Sequence, residues 1–76
     1  MSTIYFFYRT CQEELAEFFK DNSDSLNDAS TPKYKLSSEL LAIDSDRFSE
    51  DYPEVKLMFL MKFSERIKYQ FKLLND

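Results

Sequence analysis

The chain has 76 residues, the length of one small domain, and 43% of them are hydrophobic, which excludes a chain that is disordered throughout. It has no Gly and no His, and its one Cys is Cys11. Without Gly, a P-loop or a dinucleotide-binding turn is excluded, and without His there are no His metal ligands and no His-dependent triads. We therefore expect no enzyme activity, no cofactor and no metal site.

Charge is distributed unevenly along the chain, whose net charge is −4 and whose isoelectric point is near 4.7. Residues 1–54 hold twelve acidic and five basic residues (12 − 5 = 7 negative), whereas residues 55–76 hold two acidic and five basic ones (5 − 2 = 3 positive). The acidic balance argues against direct nucleic-acid binding, and the basic segment favours an acidic protein partner.

The compartment is expected to be cytoplasmic. Cys11 has no second cysteine for an internal disulfide, and no signal peptide is readable at the N-terminus. The longest apolar run, residues 55–63, is broken by Lys56 and Lys62 and is too short to span a membrane, so no membrane contact is expected.

The first predicted element is an amphipathic helix over residues 3–22. Apolar residues recur there at helical spacing on one arc: Ile4, Phe7, Tyr8, Cys11, Leu15, Phe18 and Phe19. An alternative is a strand over residues 3–9, because the aromatic run of residues 4–8 also suits a pleated surface. The helix is preferred because its register runs unbroken through both halves.

Two further helices are predicted after a mobile polar loop at residues 21–33, which is rich in Ser, Asp and Asn. A short helix is expected over residues 36–48. A long one is expected from an N-cap at Asp51 to Leu74, with Pro53 in its first turn. Its predicted core stripe is Leu57, Leu60, Phe63, Ile67, Phe71 and Leu74. The expected fold is thus an all-α three-helix bundle with a long C-terminal helix, and the alternative is an α+β fold with the strand at residues 3–9.

A second stripe of the last helix is the predicted partner-binding surface. It comprises Met58, Met61, Lys62, Arg66 and Tyr69, and Phe6 is added as an aromatic anchor. Methionine adapts its shape to a partner, aromatic rings give large contacts, and the basic residues would attract an acidic surface. The structural alternative is a central helix that packs on two sides.

A competing prediction is that the acidic residues Glu13, Glu17, Asp44 and Asp46 imitate the phosphates of a nucleic-acid backbone. Neither acidic stretch has the spacing of a calcium loop. The sequence therefore predicts a non-enzymatic protein-binding module, a small inhibitor or adaptor. Its residue usage fits an A/T-rich genome such as that of a phage. The alternatives are the nucleic-acid mimic and a structural or regulatory homo-oligomer such as a homodimer.

Overall fold

The computed structural model describes residues 2–27, 29 and 33–73, and these residues form four strands and two helices. The strands are β1 (Ser2–Tyr8), β2 (Tyr34–Lys35), β3 (Leu40–Asp44) and β4 (Ile67–Leu73). The helices are α1 (Gln12–Asp21), between β1 and β2, and α2 (Pro53–Phe63), between β3 and β4. The protein is therefore α+β, and the predicted all-α three-helix bundle is wrong.

The strands form one antiparallel sheet in the order β2-β3-β1-β4. Combined with the element order β-α-β-β-α-β, this is the ferredoxin-like or split β-α-β topology. Both helices lie on one face of the sheet, because core residues of each helix join those of β1 and β3 in one buried cluster. The other face carries no helix among the described residues.

Strand β1 replaces the first half of the predicted helix over residues 3–22, whereas the second half is helical as α1. Residues 4–8 are all apolar, so their pattern fits a helix and a strand equally well. Strand pairing determines the conformation, because β1 is hydrogen-bonded to β3 on one side and to β4 on the other. The alternative of a strand at residues 3–9 therefore describes the start of the chain better.

The long C-terminal helix is also a wrong prediction beyond Phe63, where α2 ends. A 3₁₀ turn at Ser64–Arg66 follows, and β4 begins at Ile67. Pro53 occupies the first turn as predicted, but the N-cap is Tyr52 rather than Asp51, and it makes no side-chain capping bond. The predicted continuation to Leu74 ends on a residue outside the described part.

The middle helix over residues 36–48 is wrong as well, because this stretch forms β3 and a 3₁₀ turn at Ser45–Arg47. In the predicted loop at residues 21–33, Asp21 ends α1 and Ser23–Ser25 form a 3₁₀ turn. Leu26 forms an isolated bridge with Phe48. Residues 28 and 30–32 of this loop lie outside the described residues.

The core is built around the ring of Phe59 on α2. Six described rings have centroids between 4.8 and 6.2 Å from it: Tyr5, Phe7, Phe18, Phe19, Phe48 and Phe63. The buried guanidinium of Arg47 lies 4.3 Å from the Phe19 ring centroid. Aromatic volume thus fills the space between sheet and helices in a chain too short for a large aliphatic core.

Turns are made without glycine, and no described residue has a positive φ. The chain turns instead through single 3₁₀ turns and side-chain caps. Asp44 Oδ1 accepts the Asp46 N–H at 2.9 Å, and Ser37 Oγ accepts the Leu40 N–H at 3.1 Å in the β2–β3 turn. None of the described helices is both long and apolar enough to cross a membrane.

Candidate functional site

The sheet surface turned away from the helices is aromatic, and we call it the open face. Side chains alternate along each strand, and Tyr5 and Phe7 point into the helical layer, so their neighbours point out. Strand register then assigns the open-face side chains, which are Ile4, Phe6, Tyr8, Tyr34, Leu40, Ala42, Asp44, Tyr69 and Phe71. A row of paired residues crosses the sheet from Tyr34 through Ala42 and Phe6 to Tyr69.

Strand β4 turns its aromatic side away from the helices. Tyr69 pairs with Phe6 and Phe71 pairs with Ile4, both open-face positions, whereas Gln70 pairs with the core residue Tyr5. A sheet with one solvated face normally shows polar side chains to water and apolar ones to the core. The opposite orientation of β4 leaves Tyr69 50% and Phe71 55% exposed.

The exposed rings form a cluster rather than a flat platform. Phe6 and Phe71 meet edge-to-face, with centroids 5.3 Å apart and planes at 90°, and Tyr69 lies 6.2 Å from Phe71. Tilted rings of this kind fill each other's gaps and present both edges and faces to a partner. Such a surface suits irregular side chains better than a stack of parallel bases.

Lys68 adds a positive charge to the cluster, at a β-bulge where the pairing of β4 shifts between Phe6 and Phe7. Its Nζ lies 4.8 Å from the ring centroid of Tyr8 and 5.6 Å from that of Tyr69. Lysine is cationic at neutral pH. A hydrogen bond to the Tyr8 hydroxyl, together with the charges that Tyr8 and Tyr69 carry when ionised, raises the pKa of Lys68 further. No described carboxylate forms an ion pair with it.

A second lysine lies at the opposite edge of the sheet. Lys33 Nζ is 5.6 Å from the Tyr34 ring centroid and 3.9 Å from Asp44 Oδ2. Asp44 is buried and also accepts the Asp46 N–H. The carboxylate therefore offsets Lys33, and Lys68 supplies the uncompensated charge of the open face.

A small cavity of about 250 Å³ opens at the Tyr8 end of the open face. Its lining residues are Tyr8, Arg9, Thr10, Ser38 and Glu39. The volume is enough for one large side chain of a bound partner, and the lining offers one charge of each sign. Tyr8 joins this cavity to the aromatic surface.

The predicted partner-binding residues are divided between the two layers. Phe6 and Tyr69 are brought together as cross-strand partners on the open face. Met58 and Met61 are exposed on α2 in the helical layer, Met61 by 74%, beside the exposed Leu57 that was predicted as core. Lys62 lies over the rings of Phe18 and Phe63.

Arg66 is engaged within the chain. Its Nη1 lies 3.2 Å from Glu14 Oε2 and donates a hydrogen bond to the Lys62 carbonyl oxygen at 3.2 Å. Both members of the ion pair are near half-exposed, so the pair contributes about 1 kcal/mol or less to stability. The ion pair connects the Ser64–Arg66 turn to α1, so the guanidinium of Arg66 is already engaged within the chain.

The predicted acidic mimic surface is also divided. Glu13 and Glu17 are exposed on α1, and Asp46 is exposed in the turn after β3. Asp44 is buried, and its carboxylate is occupied by Lys33 and the Asp46 amide. It therefore does not present a phosphate-like charge to a partner.

Sequence reasoning missed Tyr8, Tyr34, Lys68 and Phe71 as members of this surface. Phe71 and Tyr8 were predicted as helical core residues. The signal was present in residues 67–73, where apolar and polar residues alternate strictly, as in a half-exposed strand. Reading those residues at period two would have placed Tyr69 and Phe71 on one face.

The described residues contain no group of three or more Cys, Asp or Glu side chains placed to hold a metal ion. Comparison with known proteins finds no matching family model, no matching curated sequence and no matching solved structure. Function must therefore be argued from the surface itself, since a ferredoxin-like topology hosts many unrelated functions.

Proposed function

We propose that this protein is a non-enzymatic binding module, a small inhibitor or adaptor, that engages a partner protein through its open face. The observation that carries the proposal is the orientation of β4, which exposes Tyr69 and Phe71 beside Phe6. Exposed aromatic clusters are costly in water and are the side chains enriched in interface hot spots. The free Cys11 supports action in the cytoplasm.

The partner class follows from the chemistry of the open face. Lys68 lies over the rings of Tyr8 and Tyr69, and Phe6 meets Phe71 edge-on, so the rings are tilted and form no flat platform for base stacking. Lys68 gives the open face a positive charge that no described carboxylate offsets, and a second copy of the same face adds a further positive charge to it. A protein surface with apolar and acidic side chains complements both features.

Photo-crosslinking tests the proposal. The crosslinker p-benzoylphenylalanine replaces Phe71 in one variant and Met61 in a matched control, because both side chains are apolar and exposed but lie on opposite layers. In cells of the source organism, we expect a discrete protein adduct from position 71 and none from position 61. The adduct at 71 should weaken when Tyr69→Ser is added.

Three outcomes would count against the proposal. Adducts from position 61 alone would move the binding surface to α2. A nuclease-sensitive adduct at position 71 would make the ligand a nucleic acid. An adduct with the mass of two copies of the chain would make the open face a self-interface.

A further inference from the structure

Strand β4 forms an edge of the sheet that is open to a further strand. The sheet order ends at β4, and only β1 is hydrogen-bonded to it among residues 2–27, 29 and 33–73. The other edge, β2, is two residues long, whereas β4 is seven residues long. A long edge offers a row of backbone N–H and C=O groups to an added strand.

The charge of this edge differs from that of the rest of the chain. β4 contains Lys68 and Lys72 and no acidic residue, so it contributes +2 to a chain of net charge −4, leaving −6 for the rest. The ammonium of Lys68 is not neutralised by a described carboxylate. The edge is therefore a cationic strip on an acidic protein.

The same lysines disfavour pairing between two copies of this strand. A second copy of β4 added at this edge would bring its two lysines close to Lys68 and Lys72 of the first copy. Like charges directly opposite in a sheet are destabilising, and edge lysines are a common protection against self-pairing. An added strand that carries acidic residues would convert both repulsions into attractions.

We propose that β4 is a docking edge for an extended, acidic segment of the partner protein, which adds to the sheet as a fifth strand. This inference rests on the proposed function and specifies how the partner binds. Backbone hydrogen bonds to β4 hold the segment. Acidic side chains on its helical side pair with Lys72, and an acidic side chain beside the bulge pairs with Lys68. Its apolar side chains at alternate positions pack beside Tyr69 and Phe71, which lie two residues apart on the open face.

The experiment uses synthetic peptide probes with the full chain. The first probe is an acetylated octapeptide that alternates glutamate with valine, and the second alternates lysine with valine. A third has the first sequence with N-methyl groups on alternate backbone nitrogens, which removes donors on one edge. Binding is followed by NMR titration of the labelled protein, and hydrogen exchange reports on the amides of Ile67–Leu73.

We expect the glutamate–valine probe to bind and to slow the exchange of β4 amides that face away from β1. The lysine–valine probe should not bind. N-methylation on the edge that faces β4 should weaken binding about ten-fold or more, because several backbone hydrogen bonds are lost.

Two pairs of lysine substitutions test whether the positive charge of β4 is needed for binding. Lys68→Glu with Lys72→Glu should abolish binding of the glutamate–valine probe and allow binding of the lysine–valine probe. The matched control, Lys20→Glu with Lys56→Glu, changes the net charge equally but on the exposed surfaces of α1 and α2, so it should still bind the glutamate–valine probe.

Strand addition would be overturned if the N-methylated probe bound as tightly as the unmodified glutamate–valine probe. It would also be overturned if the two pairs of lysine substitutions weakened binding of that probe equally. Protection of β4 that rises with protein concentration in the absence of probe would replace the acidic segment with a second copy. Tighter binding of an eight-residue oligothymidylate would replace it with a nucleic acid. If strand addition fails but the crosslink at position 71 forms, the proposed function stands; if the crosslink is absent, the proposed function fails whatever the peptides do.

Discussion

At the residue scale, Tyr5 and Lys68 both have raised pKa values and lie on opposite faces of the sheet. Tyr5 is buried in the core, and burial raises the pKa of its phenol. Lys68 lies on the open face, where the Tyr8 hydroxyl and the charges of two tyrosines raise its pKa. In both cases the folded protein holds its proton to a higher pH than the unfolded chain does.

Because the pKa of Tyr5 is raised by burial, the protein is expected to lose stability in alkali. Below the ordinary tyrosine pKa of about 10, Tyr5 is neutral in both states and the full stability is present. Above it the unfolded chain loses the proton first, so unfolding becomes more favourable as pH rises towards the folded pKa. We expect urea unfolding to show falling stability above about pH 10, with a shallower fall in Tyr5→Phe. An identical slope in this variant would show that Tyr5 is not the group responsible.

At the element scale, β1 is apolar on both sides, and this explains both the wrong helix and the candidate site. Phe7 points to the helices and is fully buried, whereas Phe6 points to the open face and is only partly buried. In an antiparallel sheet with one solvated face, the second position is normally polar. A strand of this kind is expected where both faces are covered, one by the helices and one by a partner.

A pair of adjacent substitutions tests this assignment. Phe7→Ser should cost about 3 kcal/mol or more, because it leaves a cavity and a hydroxyl in the core. Phe6→Ser should cost clearly less than Phe7→Ser, because Phe6 is partly solvated and its loss removes surface contacts such as that with Phe71 without leaving a closed cavity in the core. Chemical unfolding of the two variants measures the difference. Equal losses would contradict the placement of these neighbours on opposite faces.

At the scale of the whole molecule, stability depends on one aromatic cluster. Phe59 joins both helices to β1 through its contacts with Phe18, Phe63 and Phe7. A single core in a domain of this size supplies only about 3–5 kcal/mol of net stability. Few residues can therefore be removed from the cluster without loss of the fold.

Phe59→Ala is accordingly expected to unfold the molecule. The cost of such a truncation is about 3–5 kcal/mol, which equals the whole expected stability. Circular dichroism should show loss of native structure at 25 °C, whereas the control Met61→Ala on the exposed surface of α2 should melt within a few degrees of the unmodified chain. A cooperative transition in Phe59→Ala near that of the control would contradict the central role of this ring.

The sequence by itself determined the chemical character of the protein and some of its helices. The absence of Gly and His removed whole classes of site from consideration, and the helical spacing of Leu15, Phe18 and Phe19 correctly predicted α1. Pro53 correctly marked the start of α2. These features are local, so their physical causes lie within a few residues of each other.

Only the tertiary structure decided which apolar runs are strands and which rings are exposed. β1 pairs with β4 across sixty or more residues of chain, and no local spacing reports that pairing. Once it forms, the register fixes Tyr69 beside Phe6, whereas the end of α2 leaves Met58 and Met61 in the helical layer. The candidate site is therefore a product of strand pairing, because side-chain direction in a sheet is set by the partner strand and not by the residue's own sequence neighbours.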